Sequence, residues 1–362
     1  MYKRLIILAV TFAFMFSVLY MRIYVIVRND DYIETGKNQG VYKLTVGNTN
    51  GNIYDRNYNK LINNQTNYYA VINPTSSATE EILPAVTDKD EFYSQLVYGS
   101  PFVCQVNCSE FESDDITVFE IPERYGDNQL AQHIIGYVQD GKGVSGIEAA
   151  YDDFLRSNVQ KNTVTYSIDG QGTVLQGLNK EIEADDEMTA GVVLTIDKYI
   201  QAICELVGKK IEKGAIVVMD IRTGDILGMA SFPSYSVENL EEAVNNKNSP
   251  LIDRCLYSYN VGSIFKLITA QAAFAQGINE DFSYNCTGYT EIDGQVFKCH
   301  DLSGHGVQNM TEAMTNSCNT YFIELAKHID NQLFRETAEK MGFGMSIPLA
   351  SGITASGGNL QS

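Results

Sequence analysis

The alternation of apolar and polar positions divides the chain into three stretches. Residues 5–27 are apolar almost without interruption, with Arg22 as the single charge inside the run. A helix rising ~1.5 Å per residue needs about 20 such residues to cross ~30 Å of hydrocarbon, and Arg22 near the far end can snorkel to the headgroups. A cleaved signal peptide is the competing reading, but the run is longer than an h-region and no small-x-small site follows it. An anchor over 5–27 behind a cytoplasmic tail over 1–4 is therefore expected. Lys3 and Arg4 fix its orientation, and Asn29-Asp30-Asp31 follow on the outer side.

The second stretch, 28–188, is polar and rich in Asn and Tyr. Turn signals stand at Asn50-Gly51, Asn73-Pro74 and Asp169-Gly170, which predicts an extended α+β module. Within it Ile147, Tyr151, Phe154 and Leu155 can share one face of a docking helix. The third stretch runs from 189 to 362. Val192-Val193-Leu194-Thr195-Ile196 reads as a buried strand, with Asp197 as N-cap of a helix carrying Ile200, Ile203, Val207 and Ile211 and ending at Gly214. Residues 215–221 and 226–232 flank the turn Arg222-Thr223-Gly224-Asp225, a hairpin of a central antiparallel sheet. From Ser263 to Ala275 the chain is apolar on nearly every side and stops at Gly277, which predicts a helix inside a domain.

Composition changes this picture little. At 362 residues, with 44% hydrophobic and 20% charged, the chain suits two or three folded units. A net charge of -19 argues against nucleic acid as a partner, because tracking phosphates needs a surplus of Lys and Arg.

Two short motifs carry chemistry. Gly262-Ser263-Ile264-Phe265-Lys266 holds a Ser and a Lys one turn apart at the start of the apolar helix. A serine hydroxyl attacks only when a neighbour takes its proton, and a lysine desolvated by burial can be that neighbour. Free N–H groups at the helix start favour a developing oxyanion, and Gly262 allows a tight turn there. Ser317-Cys318-Asn319 lies between two short helices. Its hydroxyl can relay a proton toward a leaving amine while its carboxamide pairs with a peptide bond. A plain N-cap pair is the alternative at that position.

In this order and about fifty residues apart, S-x-x-K and S-x-N resemble the penicilloyl-serine transferases, whose third motif is K-T-G. Ala215 to Ser236 is similar to the first hairpin of a transpeptidase domain. Gly51-Asn52-Ile53-Tyr54-Asp55-Arg56-Asn57 is similar to the G-x-I-x-D-R-N run of the class B pedestal. Ser145-Gly146-Ile147-Glu148 with Tyr151-Asp152-Asp153-Phe154-Leu155-Arg156 resembles the signature closing that pedestal. The chain thus resembles a class B penicillin-binding protein from its anchor to Phe343. The resemblance implies an α+β or α/β chain: the anchor, a pedestal or dimerisation domain over 28–188, and a β-lactamase-like serine transpeptidase domain over 189–362.

It further implies a peptidoglycan D,D-transpeptidase in a bacterial cell membrane. Ser263 would be the acylated nucleophile, Lys266 its base, Ser317 the proton relay and Asn319, with Gly262, the contact to substrate. D-Ala-D-Ala stem peptides would be donors, an amine of a neighbouring stem the acceptor, and β-lactams would acylate Ser263. A glycosyltransferase and divisome or elongasome proteins would be partners, and no cofactor is implied. A β-lactam sensor, a serine β-lactamase and a non-catalytic scaffold are the rival readings. Asn50 stands where the family usually has Arg, and Val261 where Pro is common. No Lys-Thr-Gly or Lys-Ser-Gly follows Asn319, so a C-terminally truncated domain, one active-site strand short, is expected.

The 7 cysteines leave at least one unpaired. Cys286, Cys299, His300 and His305 superficially suit zinc, but they lack the tight knuckles of structural zinc, and extracytoplasmic cysteines more often oxidise. No metal is expected. A disulfide is, either Cys286 to Cys299 as a loop staple or Cys299 to Cys318 as a redox gate inside S-x-N.

Overall fold

The structure is a computed structural model and describes residues 2–28, 40–169, 173–175, 180–184 and 190–360. The segment Asn29-Asp30-Asp31, the turn residue Gly170 and the expected boundary at 188/189 lie outside the described residues.

The first helix is Tyr2–Arg28. Tyr2–Ile26 has a mean hydropathy of 2.1 and no buried share, long and apolar enough to cross a membrane. The chain forms two compact units, one of Met1–Leu130, this helix included, with Asp152–Lys198, the other of Ala131–Tyr151 with Tyr199–Ser362. The chain therefore enters the second unit, returns to the first, and re-enters, whereas the sequence reading gave each domain one continuous stretch.

In the first unit, Gln65–Ile72 is the middle strand between Phe102–Val106 and Ile116–Glu123, antiparallel to both. A second sheet pairs Val41–Asn50 with Val159–Ser167 and that strand with Glu181–Ala184. The first sheet buries Ala70, Ile72 and Phe102 against Ile82 and Phe92. These last two sit on helices Ser76–Ile82 and Lys89–Leu96, N-capped by Thr75 and Asp88. The G-x-I-x-D-R-N run is structural: Ile53 is fully buried, and the Asp55 carboxylate accepts from the backbone N–H groups of Asn57, Asn59 and Lys198. Burial alone would raise the Asp55 pKa, but these bonds and the Asn59 amide hold it below 3.8.

The strand expected over 192–196 is shorter and sits elsewhere. Gly191–Val193 pairs in parallel with Asn52–Tyr54, inside the first unit. Gly191 is required there because a Cβ would come 2.1 Å from the Asn52 carbonyl oxygen. The Lys198 N–H that starts the next helix is held by Asp55.

In the second unit, helix Lys198–Gly208 lies on the hairpin Gly214–Met219 and Ile226–Phe232, with Ile200 and Cys204 against Ala230 and Phe232. Gln201 clamps the two, donating to the Met229 carbonyl at 2.9 Å and accepting from its N–H at 2.7 Å. The helix ends six residues before Gly214, at Gly208, whose Cβ would meet the Phe232 ring at 1.9 Å. The docking helix is also broken. Gly146–Ala150, in the second unit, and Asp152–Ser157, in the first, are separate helices, divided at Tyr151 by φ -123° and ψ 24°. Ile147 and Leu155 are buried, while Phe154 is 45% exposed. The largest core gathers Ala272, Ala273, Met310, Tyr321, Phe322 and Leu325 from helices Lys266–Ala275, Met310–Thr315 and Asn319–Ala326.

Candidate active site

Gly262–Phe265 is a 3₁₀ turn that runs into the α-helix Lys266–Ala275. In a 3₁₀ turn side chains three apart eclipse, so Ser263 and Lys266 stack more directly than on an α-helix. Lys266 Nζ donates to Ser263 Oγ at 3.0 Å. Gly262 opens the turn at φ 62° with no atom within 4 Å of where a Cβ would stand; its backbone conformation, not space, calls for glycine. The helix is buried on one side only, although apolar on nearly every side. Ala270, Ala272 and Ala273 are buried, but Ile264 and Leu267 are 66% and 52% exposed.

The second motif is built by a helix end. Asn309 and Glu312 form a capping box that starts Met310–Thr315. At the other end Ser317 N–H donates to the Met314 carbonyl and Cys318 N–H to the Ala313 carbonyl, the pattern of a Schellman turn. Its left-handed position is usually glycine; here it is Ser317 at φ 48°. The turn aims the Ser317 hydroxyl at the first motif, 2.9 Å from Lys266 Nζ and 3.0 Å from Ser263 Oγ. An N-cap role for Ser317 is ruled out, since Cys318 occupies the N-cap of helix Asn319–Ala326 and makes no side-chain cap bond.

Asn319 completes the group. Its Oδ1 accepts from Lys266 Nζ at 2.7 Å, and its Nδ2 donates to the Lys298 carbonyl at 3.4 Å. Lys266 is only 8% exposed. Its amine also donates to the Ser317 carbonyl at 2.7 Å, and none of these four oxygens carries a charge. Burial lowers the Lys266 pKa from 10.5, with the Cys299 and Cys318 sulfurs pulling weakly the other way. The four residues singled out in the sequence thus form one contiguous cluster around the Lys266 amine, whose pKa burial lowers from its ordinary value.

Behind S-x-N the fold gathers Cys286, Cys299 and His305, singled out by their spacing, and joins Cys318 to them, leaving His300 outside the group. Antiparallel pairing of Tyr284–Cys286 with Gly306–Gln308 sets Cys286 opposite Gly306, next to His305. The hairpin Tyr289–Ile292 with Gln295–Lys298 nests inside that pair and returns Cys299, whose N–H donates to the Gly288 carbonyl at 2.9 Å. Cys318 arrives from the helix cap. The ligand atoms of Cys286, Cys299, His305 and Cys318 all lie within 4.8 Å of one another.

Every cysteine is a free thiol. Neither expected disulfide is formed, and the Cys299 and Cys318 sulfurs are 3.9 Å apart against the ~2.05 Å of an S–S bond. Burial would raise the Cys286 pKa, but bonds from Thr320, His305 and Gly288 hold it down to about 6; burial pushes Cys318 up. The argument against metal from missing knuckles loses its ground, because three separate segments supply the donors. The intervals 286–299, 299–305 and 305–318, each ending where a strand or helix begins or stops, were the available signal.

A hairpin against a helix, a Ser-Lys turn and a Ser-Asn turn closing on it define a transpeptidase domain of the penicillin-binding type. Residues 214–361 match the family described as penicillin binding protein transpeptidase domain. It is 31% identical over 237 residues to stage V sporulation protein D of Bacillus subtilis, covering 61% of this chain and 35% of that protein. It is 27% identical over 253 residues to the peptidoglycan D,D-transpeptidase MrdA of Acinetobacter baumannii, covering 61% and 36%. Its fold matches a chain of a peptidoglycan synthase complex, solved to describe the coordination of polymerization and crosslinking, at TM-score 0.60 and 22% identity, covering 94% of this chain and 68% of that one. The chain spans about a third of the length of the two sequence relatives.

Proposed function

We propose that this chain is a serine-type peptidoglycan D,D-transpeptidase, held to the membrane by Tyr2–Arg28 with its N-terminus in the cytoplasm and both units outside. The observation that carries the reading is the Lys266 amine, buried and joined to Ser263, Ser317 and Asn319 at 2.7 to 3.0 Å. In this mechanism the neutral amine takes the Ser263 proton as Oγ attacks the penultimate D-Ala carbonyl. Ser317, bonded to both, passes the proton to the leaving D-Ala nitrogen, and Asn319 holds the substrate amide. An amine of a second stem peptide then displaces Ser263 by the reverse route, leaving a crosslink. A substrate contact at Gly262 is part of the same reading, supported by its place at the start of the nucleophile turn.

β-Lactams would acylate Ser263 in place of the donor peptide. The names of the sequence relatives and the synthase complex found among the fold neighbours support an assembly with a glycosyltransferase of the elongation or division machinery. The test is labelling of the full chain with a fluorescent penicillin and mapping of the adduct by mass. Expected is a single adduct on the Ser263 peptide, abolished in Ser263→Ala and slowed at least ~100-fold in Lys266→Ala. Labelling that persists in Ser263→Ala, or an adduct on another peptide, overturns the assignment.

A further inference from the structure

We propose that Gln308 is a positioning residue for the Ser317 hydroxyl, acting through the side chain of Asn316; the role rests on the relay reading of Ser317 given above. Gln308 closes the strand Gly306–Gln308, opposite Tyr284, and is 3% exposed. Its Oε1 accepts from Asn316 Nδ2 at 2.9 Å. That bond joins the strand before helix Met310–Thr315 to the residue just after the helix, its C-cap. The next residue along from Gln308 is Asn309, which caps the start of the same helix. One point of the sheet therefore holds both ends of the helix that delivers Ser317.

A carboxamide at this position is unfavourable for stability. Gln308 Nε2 is buried and has no hydrogen-bond partner among the described residues. An unpaired amide nitrogen in an interior is destabilising, whereas an apolar side chain of the same length would fill the same space without that penalty. What accounts for the carboxamide is its oxygen, and the bond that oxygen makes is to Asn316. Asn316 is itself exposed, so water would replace Gln308 as its partner at little loss. The bond contributes geometry rather than stability.

That geometry reaches the hydroxyl through one peptide. Asn316 stands at φ -83° and ψ 1°, and Ser317 follows at φ 48°. A non-glycine residue keeps a left-handed backbone only where its surroundings over-determine it. The Ser317 and Cys318 N–H bonds to Met314 and Ala313 fix the turn from the helix side, and Gln308 fixes residue 316 from the sheet side. A tilt of ~1 Å at the hydroxyl would carry it out of hydrogen-bonding reach of its partners. Those partners are Lys266 Nζ at 2.9 Å and Ser263 Oγ at 3.0 Å, and misplacement on that scale slows catalysis by up to about 100-fold.

The test uses the purified full chain in detergent and two variants. Gln308→Met keeps the length and flexibility of the side chain without its amide. Asn316→Ala deletes the same bond from the exposed side and carries the test should Gln308→Met fail to fold. Gln308→Met is expected to melt no lower than the native chain, because it removes a buried unpaired nitrogen. At saturating fluorescent penicillin it should nevertheless label about 10- to 100-fold more slowly, with the half-saturating concentration unchanged. Asn316→Ala should slow labelling alike, and the double variant no further. In a Ser317→Ala background Gln308→Met should change nothing, since the hydroxyl it positions is gone. Hydrogen exchange is independent of labelling: the Ser317 and Cys318 amides should exchange about tenfold faster in both variants. Native labelling and native exchange in Gln308→Met overturn the proposal. So does a slowing that persists in the Ser317→Ala background, which marks a merely structural residue. If Ser317→Ala itself labels at the native rate, the relay reading fails instead, and the exchange rates alone decide whether Gln308 holds the turn.

Discussion

Ser317 offers a sharp test because its side chain and its backbone pull in opposite directions. It sits at φ 48° in the left-handed position of a Schellman turn, where glycine is the unstrained choice. Ser317→Gly and Ser317→Ala both delete the hydroxyl, so the lost bonds to Lys266 and Ser263 cancel between them. What remains is backbone. Alanine keeps a left-handed strain of about 1–2 kcal/mol, while glycine loses about 0.4–1 kcal/mol more entropy on folding. Ser317→Gly should therefore be the more stable of the two by about 1 kcal/mol, the reverse of the usual order in regular structure. In a unit of this size that is about 3 °C in melting temperature. Calorimetry of the full chain reads it directly, since the sequence has no Trp to report by fluorescence. Penicillin labelling should fall about 100-fold or more in both variants, for want of the relay hydroxyl. If Ser317→Ala melts at or above Ser317→Gly, the turn geometry is wrong; if either labels at the native rate, the relay role is.

Three further outcomes are expected. Because burial holds the Lys266 pKa below 10.5, labelling should rise with pH through a limb lying below that value, and Lys266→Met should abolish the limb. The unfolded chain binds this proton more tightly, so stability should rise with pH between the folded pKa and 10.5, and a flat stability profile there would count against the burial argument. Gly262→Ala, with nothing for its methyl to strike, should cost about 1 kcal/mol through backbone strain alone and slow labelling while leaving the rest of the structure unchanged by circular dichroism. Asp55 accepts from three backbone N–H groups, so Asp55→Ala should destabilise the first unit by about 3 kcal/mol. Its depressed pKa adds stability that is present above pH 3.8 and lost as pH falls through the folded value; acid unfolding of Asp55→Ala should lack that component.

The parts of the site that were legible are those encoded within a turn. Ser263 and Lys266 are three apart, and any helical geometry stacks them; only the 3₁₀ character of the turn lay beyond the pattern, because apolar periodicity does not separate i+3 from i+4 hydrogen bonding. The meeting of Ser317 and Asn319 with Lys266 crosses 51 and 53 residues and became readable only through resemblance to a family that uses both motifs. Spacing picked out Cys286, Cys299 and His305, but their convergence with Cys318 depends on nested strand pairing, and register across a nested hairpin is invisible to spacing rules. In the docking segment, periodicity gave the right buried residues at Ile147 and Leu155 but not the break at Tyr151. The apolar run predicts a strand to Ile196, whereas the regular ladder ends at Val193 and Leu194 and Ile196 add single bonds to Tyr54 and Arg56.

The excursion of residues 131–151 into the second unit bears on how this protein can be cut. A fragment beginning at 199 would leave behind Ala131, whose N–H is held by the Glu205 carboxylate at 2.6 Å, and with it the ring of Tyr137 that meets Tyr235 edge-on. Such an excised catalytic piece would expose apolar surface and aggregate, whereas one splicing 131–151 ahead of 199 through a short linker would keep its native partners. Recombination between homologues should obey the same arithmetic, with crossovers near 130, 152 and 198 exchanged together or not at all.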